Sequence, residues 1–100
     1  MSDIQMLFGA LGDPTRRSLF ERLSTGGPAS ASQLANELPI TRQAIAKHIS
    51  TLESAGLVTR QGAGREVRFA ANPERLEDLG SWSARVNRQW QERIQRLTEM

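Results

Sequence analysis

Thr41, Arg42, Gln43, Ala46, Lys47 and Ser50 lie within ten consecutive positions. On a helix, Gln43, Ala46, Lys47 and Ser50 share one side, with Thr41 and Arg42 at its N-terminal end. Arginine and lysine donate to guanine O6 and N7. Glutamine pairs bidentately with adenine, and small residues allow close approach to a groove wall. The set fits the chemistry of reading base edges in duplex DNA. A merely solvated helix face has a similar composition, so the surrounding elements must separate the two readings.

Those elements are legible on both sides. Ser30 followed by Gln33 is a capping-box pattern that starts a helix near Ala31. Pro39 ends it, because proline lacks the N–H and restricts the residue before it. Thr41 caps a second helix, and Gly56 stands where a left-handed C-terminal cap is expected. Ile45, His48, Ile49 and Leu52 follow helical spacing on the side facing away from the polar set and should pack inward. Two helices joined by so short a turn have the layout of a helix-turn-helix, whose second helix enters the major groove.

A hairpin should follow. Leu57-Val58-Thr59-Arg60 is β-prone, Gln61-Gly62-Ala63-Gly64 is a turn cluster, and Arg65 to Ala70 alternates polar with apolar residues. This pattern sends Val67 and Phe69 toward the core and leaves Arg60, Arg65 and Arg68 near the hairpin. A hairpin there is a wing, and its arginines are placed for phosphate or minor-groove contact. The alternative is a stabilising hairpin with ordinary surface charge.

Net charge is only +2 over 100 residues, but it is unevenly distributed. Between residues 41 and 68, Arg42, Lys47, Arg60, Arg65 and Arg68 outnumber Glu53 and Glu66 by three, whereas residues 1–38 carry −1 and residues 71–100 balance. The excess coincides with the second helix and the wing, a local footprint for a polyanion. One domain spanning 1–100 is expected, mostly α with a small β-hairpin. The 38% apolar content argues against disorder. With no apolar run long enough for a membrane span and no signal-peptide pattern, no membrane partner and a cytoplasmic location are expected. The absence of cysteine removes disulfides, thiolate metal sites and thiol redox sensing.

The flanks read as a platform for a second subunit. Ile4, Leu7, Phe8 and Leu11 form one stripe on a first helix, and Asp13-Pro14 caps a second helix running to about Ser24, with Leu19, Phe20 and Leu23 inward. Thr25 to Pro28 reads as a loop. Asn72-Pro73-Glu74 should cap a long last helix that carries Leu76, Leu79, Trp82, Val86, Trp90, Ile94 and Leu97 at steps of three and four. So long a stripe, with two indoles, exceeds what a small domain needs to cover itself. Ile4, Leu7, Phe8, Leu11, Leu79, Trp82, Val86 and Trp90 are therefore expected at a homodimer interface about a two-fold axis. The alternative is a last helix folded back on its own core.

Taken together, these residues resemble a known family. Leu11-Gly12-Asp13-Pro14-Thr15-Arg16-Arg17 is similar to the Asp-Pro-Thr-Arg-Arg segment of ArsR/SmtB-type winged helix-turn-helix repressors. Ile40 to Ile49, then Leu52-Glu53-Ser54-Ala55-Gly56-Leu57-Val58, resembles that family's recognition helix and its exit. Gly64-Arg65-Glu66, Phe69 and Asn72-Pro73-Glu74 resemble its wing and the approach to the last helix. The resemblance implies five helices, with the first and last forming the dimer platform. It further implies a homodimer that binds an imperfect palindrome in double-stranded DNA and represses transcription by occluding the promoter. It carries recognition roles to Thr41, Arg42, Gln43, Ala46 and Lys47. His48 matches a histidine common in that helix, where packing or a phosphate contact suits it better than metal ligation, since one histidine cannot build a site.

The sensor departs from metal-responsive relatives. Ser30-Ala31-Ser32 stands where those place cysteines, and the last helix has no histidine. Serine hydroxyls are poor ligands for soft metals, and Glu74, Glu77 and Asp78 suit a helix N-terminus. No metal and no cofactor are expected. The signal is an unknown small molecule, a partner protein, or nothing beyond autoregulation. A winged helix used only for protein interaction is the competing function. An enzyme is disfavoured, because no nucleophile–base pair, metal cluster or phosphate loop is visible.

Overall fold

The computed structural model describes residues 3–62 and 65–99, with element order α1 (Asp3–Leu11), α2 (Pro14–Gly26), β1 (Ala29–Ser30), α3 (Ala31–Glu37), α4 (Arg42–Ser54), β2 (Val58–Gln61), β3 (Arg68–Ala71), a 3₁₀ turn (Pro73–Arg75) and α5 (Leu76–Glu99). Ala63 and Gly64 of the expected turn fall outside the described residues.

The corner between α1 and α2 is built by the Asp-Pro-Thr-Arg-Arg segment. Asp13 caps α2 by accepting from the Arg16 N–H at 3.0 Å, with Pro14 in the first turn where a missing N–H costs nothing. That bond to the Arg16 amide, with the nearby Arg16 and His48 side chains adding to it, holds the Asp13 carboxyl below its ordinary pKa. Arg16 donates to the Ala10 and Gly9 carbonyls at 2.7 and 3.1 Å, and Arg17 donates to the Leu11 carbonyl at 2.6 Å. The last carbonyls of α1 have no helical partner, so the two arginines cap one helix from the next. α2 runs two residues past the expected end, to Gly26, and Gly27 stops it with φ of 81°.

At the start of α3 the Ser30 hydroxyl accepts from the Gln33 N–H at 3.1 Å, and the Gln33 carboxamide accepts from the Ser30 N–H at 2.8 Å. This is the expected capping box. α4 begins on Thr41, whose hydroxyl accepts from the Ala44 N–H at 3.1 Å. It ends as a Schellman turn: Leu57 N–H reaches the Leu52 carbonyl at 3.0 Å and Gly56 N–H the Glu53 carbonyl at 2.9 Å, with Gly56 at φ 78°.

The sheet has three antiparallel strands in the order β1-β3-β2, one more than the expected hairpin. Ala29 pairs with Phe69, and Gln61 pairs with Arg68. Two residues carry no sequence signal for a strand, so β1 exists only because β3 offers it a ladder. β3 is paired on both edges, and its Phe69 and Ala70 are buried, Phe69 within the core cluster. Val67 departs from expectation: it is 45% exposed. The Gln61–Arg68 pair ends the ladder, so Val67 sits beyond the last rung, with no core beneath it.

The core gathers Leu7, Leu19, Leu34, Ile45, Ile49, Leu52 and Leu57, all fully buried. Leu7, expected at a subunit surface, is thus spent within the protomer. Leu11 and Leu79 are half-buried against the same core. The last helix also starts differently from expectation. Asn72 makes no side-chain cap and instead donates to the Gly56 carbonyl at 3.0 Å, so a 3₁₀ turn leads into α5.

Arg22 joins α2 to α3 through a two-point contact with Glu37 at 2.5 and 3.1 Å. That bond holds the Glu37 carboxyl below its ordinary value and raises Arg22. A carboxylate whose pKa is lowered by folding stabilises the fold above its unfolded pKa, and the contribution disappears as pH falls through the lowered folded value. In urea titrations, Glu37→Gln is therefore expected to be less stable than the parent at neutral pH, with the gap closing on acidification below about pH 4.5. A gap that persists in acid would show that the pair contributes packing and not charge. Glu37 is exposed, so the gap is small.

Candidate nucleic-acid interface

The core decides which way α4 faces. Burying Ile45, Ile49 and Leu52 turns Arg42, Gln43, Ala46, Lys47 and Ser50 outward, and all five are exposed. Thr41 is exposed at the helix N-terminus while its hydroxyl caps the helix. The expected recognition set therefore shares one open face. His48 does not join it. It is half-buried, on the flank near enough to Asp13 to act on that carboxyl's charge.

The wing arginines divide into tied and free. Arg60 donates to both Glu53 oxygens, at 2.8 and 3.1 Å, and its guanidinium lies 5.4 Å from the centre of the Phe69 ring. The contact with Glu53 raises Arg60 above its ordinary pKa. Arg60 thus clamps the wing to the end of α4. Its type and place in the chain alone group it with the phosphate-facing arginines, because Glu53 is seven positions away on another element. Arg68 donates to the Pro28 carbonyl at 3.3 Å across the sheet. Arg42 and Arg65 make no hydrogen bond or ion pair among the described residues.

Between the start of α3, the exposed side of α4 and the wing lies an open cleft of about 430 Å³. It is lined by Arg42 and Ala46 of α4, by Arg65, Glu66 and Val67 of the wing, and by Phe69 of β3. Ser30, at the edge of this cleft, has its hydroxyl committed to the α3 cap. Among the described residues no three histidine, cysteine or acidic side chains converge as a metal would require.

On the far side, α5 leaves the body. Phe8 holds its first turns by an edge-to-face contact with Trp82, centroids 5.0 Å apart at 80°. From Gly80 to Glu99 every residue is exposed. Trp90 is 56% and Leu97 63% exposed, with Val86 and Ile94 in the same stripe.

A short helix, a tight turn, an outward polar helix and a β-wing define the winged helix-turn-helix class of DNA-binding protein. A helix-turn-helix domain family matches residues 11–61. The HTH-type transcriptional regulator YuzN of Bacillus subtilis is 43% identical over 73% of this chain and 86% of its own length. The transcriptional repressor SdpR of the same species is 29% identical over 76% of this chain and 83% of its own. The solved structure of an ArsR-like transcriptional regulator from Rhodococcus sp. RHA1 superposes with a TM-score of 0.90 at 35% identity, over 97% of this chain and 88% of that one. The chain belongs to the ArsR/SmtB family of winged helix-turn-helix transcriptional regulators. No helix among the described residues is long and apolar enough to cross a membrane.

Proposed function

We propose that the chain works as a homodimer that binds a palindromic operator and represses transcription by occluding the promoter. The observation that carries the reading is the outward face of α4, where Arg42, Gln43, Ala46, Lys47 and Ser50 are all exposed beside a wing with a free Arg65. Such a face offers the major groove its donors and small residues. Arg65 and the open side of Arg68 supply phosphate contacts.

The dimer reading is supported by α5. A 24-residue helix that leaves the body with Trp82, Val86, Trp90, Ile94 and Leu97 in line needs a partner, since an isolated helix with an uncovered apolar stripe is marginal in water. A second copy about a two-fold axis covers both stripes at once. It also sets two α4 helices for half-sites about 34 Å, or a multiple, apart. The role is non-enzymatic, the location cytoplasmic, and any effector a small molecule or a partner protein.

Fluorescence anisotropy with duplex from the region upstream of the protein's own gene tests this directly. Tight binding that survives excess scrambled competitor is expected. Binding lost to competitor would reduce the reading to polyanion affinity for that duplex, and no binding at low salt would favour a protein-interaction module. Arg42→Ala and Gln43→Ala are each expected to lose about 1–3 kcal/mol on the operator and to relax its sequence preference. Unchanged affinity in both variants would remove α4 from the base-reading role.

A further inference from the structure

We propose that the cleft between α4 and the wing is a binding site for a small organic anion with a flat apolar body, such as an aromatic carboxylate, and that its occupant excludes DNA. The exclusion rests on the DNA-binding reading above; the site itself does not.

Three observations converge on this cleft. Its volume, about 430 Å³, falls within the range of small-molecule pockets. Arg42 from α4 and Arg65 from the wing both line it, and neither has a hydrogen-bond or ion-pair partner among the described residues, whereas Arg60 is paired with Glu53. Two free guanidiniums set against one acid, Glu66, leave the cleft net positive, and guanidinium is the group best shaped to grip a carboxylate at two points. The third observation is the apolar lining between them. Val67, an apolar residue that the strand pattern sends inward, instead opens into this space, joined by Ala46 and Phe69.

A bare phosphate uses the arginines and wastes Val67 and Phe69; a neutral hydrocarbon does the reverse. An anion carrying a ring uses both, with the ring against Val67 and the carboxylate between the arginines. Arg42 also belongs to the face assigned to base contact. A ligand holding Arg42 therefore withdraws it from the groove and fills the space between helix and wing, so anion and duplex compete.

The test uses the whole chain and 1-naphthoate as probe, with 1-naphthylmethanol and acetate as controls that each lack one half of the chemistry. Isothermal titration without DNA should show naphthoate binding at least about tenfold more tightly than either control, as expected when the alcohol loses the charge-assisted contact and acetate loses the apolar ring. Arg65→Gln should weaken naphthoate by about tenfold or more. Val67→Ser should weaken it while keeping duplex binding. Amide shifts in a nitrogen–proton spectrum should centre on Ala31, Ala46, Val67 and Phe69. Equal binding of the neutral control, or naphthoate affinity indifferent to both substitutions, overturns the site. In the anisotropy assay naphthoate should raise the apparent duplex Kd in proportion to its occupancy; occupancy without effect on the duplex overturns the exclusion. Duplex binding in the absence of naphthoate reports separately on the operator reading.

Discussion

Replacing Trp82 and Trp90 together by alanine will turn the proposed dimer into a monomer and abolish tight binding to its proposed operator. Buried tryptophans are the commonest interface anchors, each worth about 2 kcal/mol or more when truncated. The double variant removes four from a two-fold dimer, so self-association weakens by about a thousandfold or more. The operator then meets one α4 at a time, and the local excess of positive charge over residues 41–68 is too small to hold a single copy tightly at moderate salt. Sedimentation velocity reads the first effect and anisotropy the second. Trp82 also packs on Phe8, so its loss frees the root of α5 as well. Trp90→Ala alone separates the two contributions, because Trp90 stands clear of the protomer body at 56% exposure. Retained helicity with a shift toward monomer is expected. A soluble, undiminished dimer in the double variant would place the subunit contact elsewhere.

Leu52→Ala will lose about 2–5 kcal/mol of stability. Leu52 is fully buried on the inner side of α4, and truncation leaves a cavity in a core with few side chains to fill it. A domain of this size has about 5–15 kcal/mol in total, and each kilocalorie moves Tm by about 4–8 °C. A fall in Tm of about 10 °C or more is expected by circular dichroism at fixed protein concentration. None of the outward side chains changes, so operator affinity measured well below the new Tm should stay near that of the parent. A loss below about 1 kcal/mol would mean that α4 is not held by this cluster.

The two variants attack different links of one chain of causes. The inner stripe of α4 fixes the direction of its outer stripe, and in the proposed homodimer α5 fixes where a second α4 stands. Arg60 adds a third link by tying the wing to Glu53 near the end of α4.

Much of this was legible in the residues alone, because the signals were local. Asp13 before Pro14, Ser30 with Gln33, Thr41 and Gly56 each act within a few positions, and each caps where its type and spacing require. The helical period assigned Ile45, Ile49 and Leu52 inward and the polar set outward. Family resemblance reached the same fold from a different direction. What depended on distant neighbours was not legible. β1 is two residues paired to a strand about forty positions later. Val67 obeys the strand period but lies past the last rung, where there is no core to meet. Leu7 belongs to the same stripe as Phe8, yet packing buries Leu7 in the protomer and leaves Phe8 44% exposed against Trp82. Arg16 and Arg17 read as surface charge until the ends of two helices meet and their guanidiniums reach carbonyls six or seven residues back. Helix caps and the two faces of α4 could be read from the residues in order, since capping and helical period are set by neighbours along the chain. Which charges are spent and which stay free to bind emerges on folding, since pairing depends on side chains brought together from distant positions.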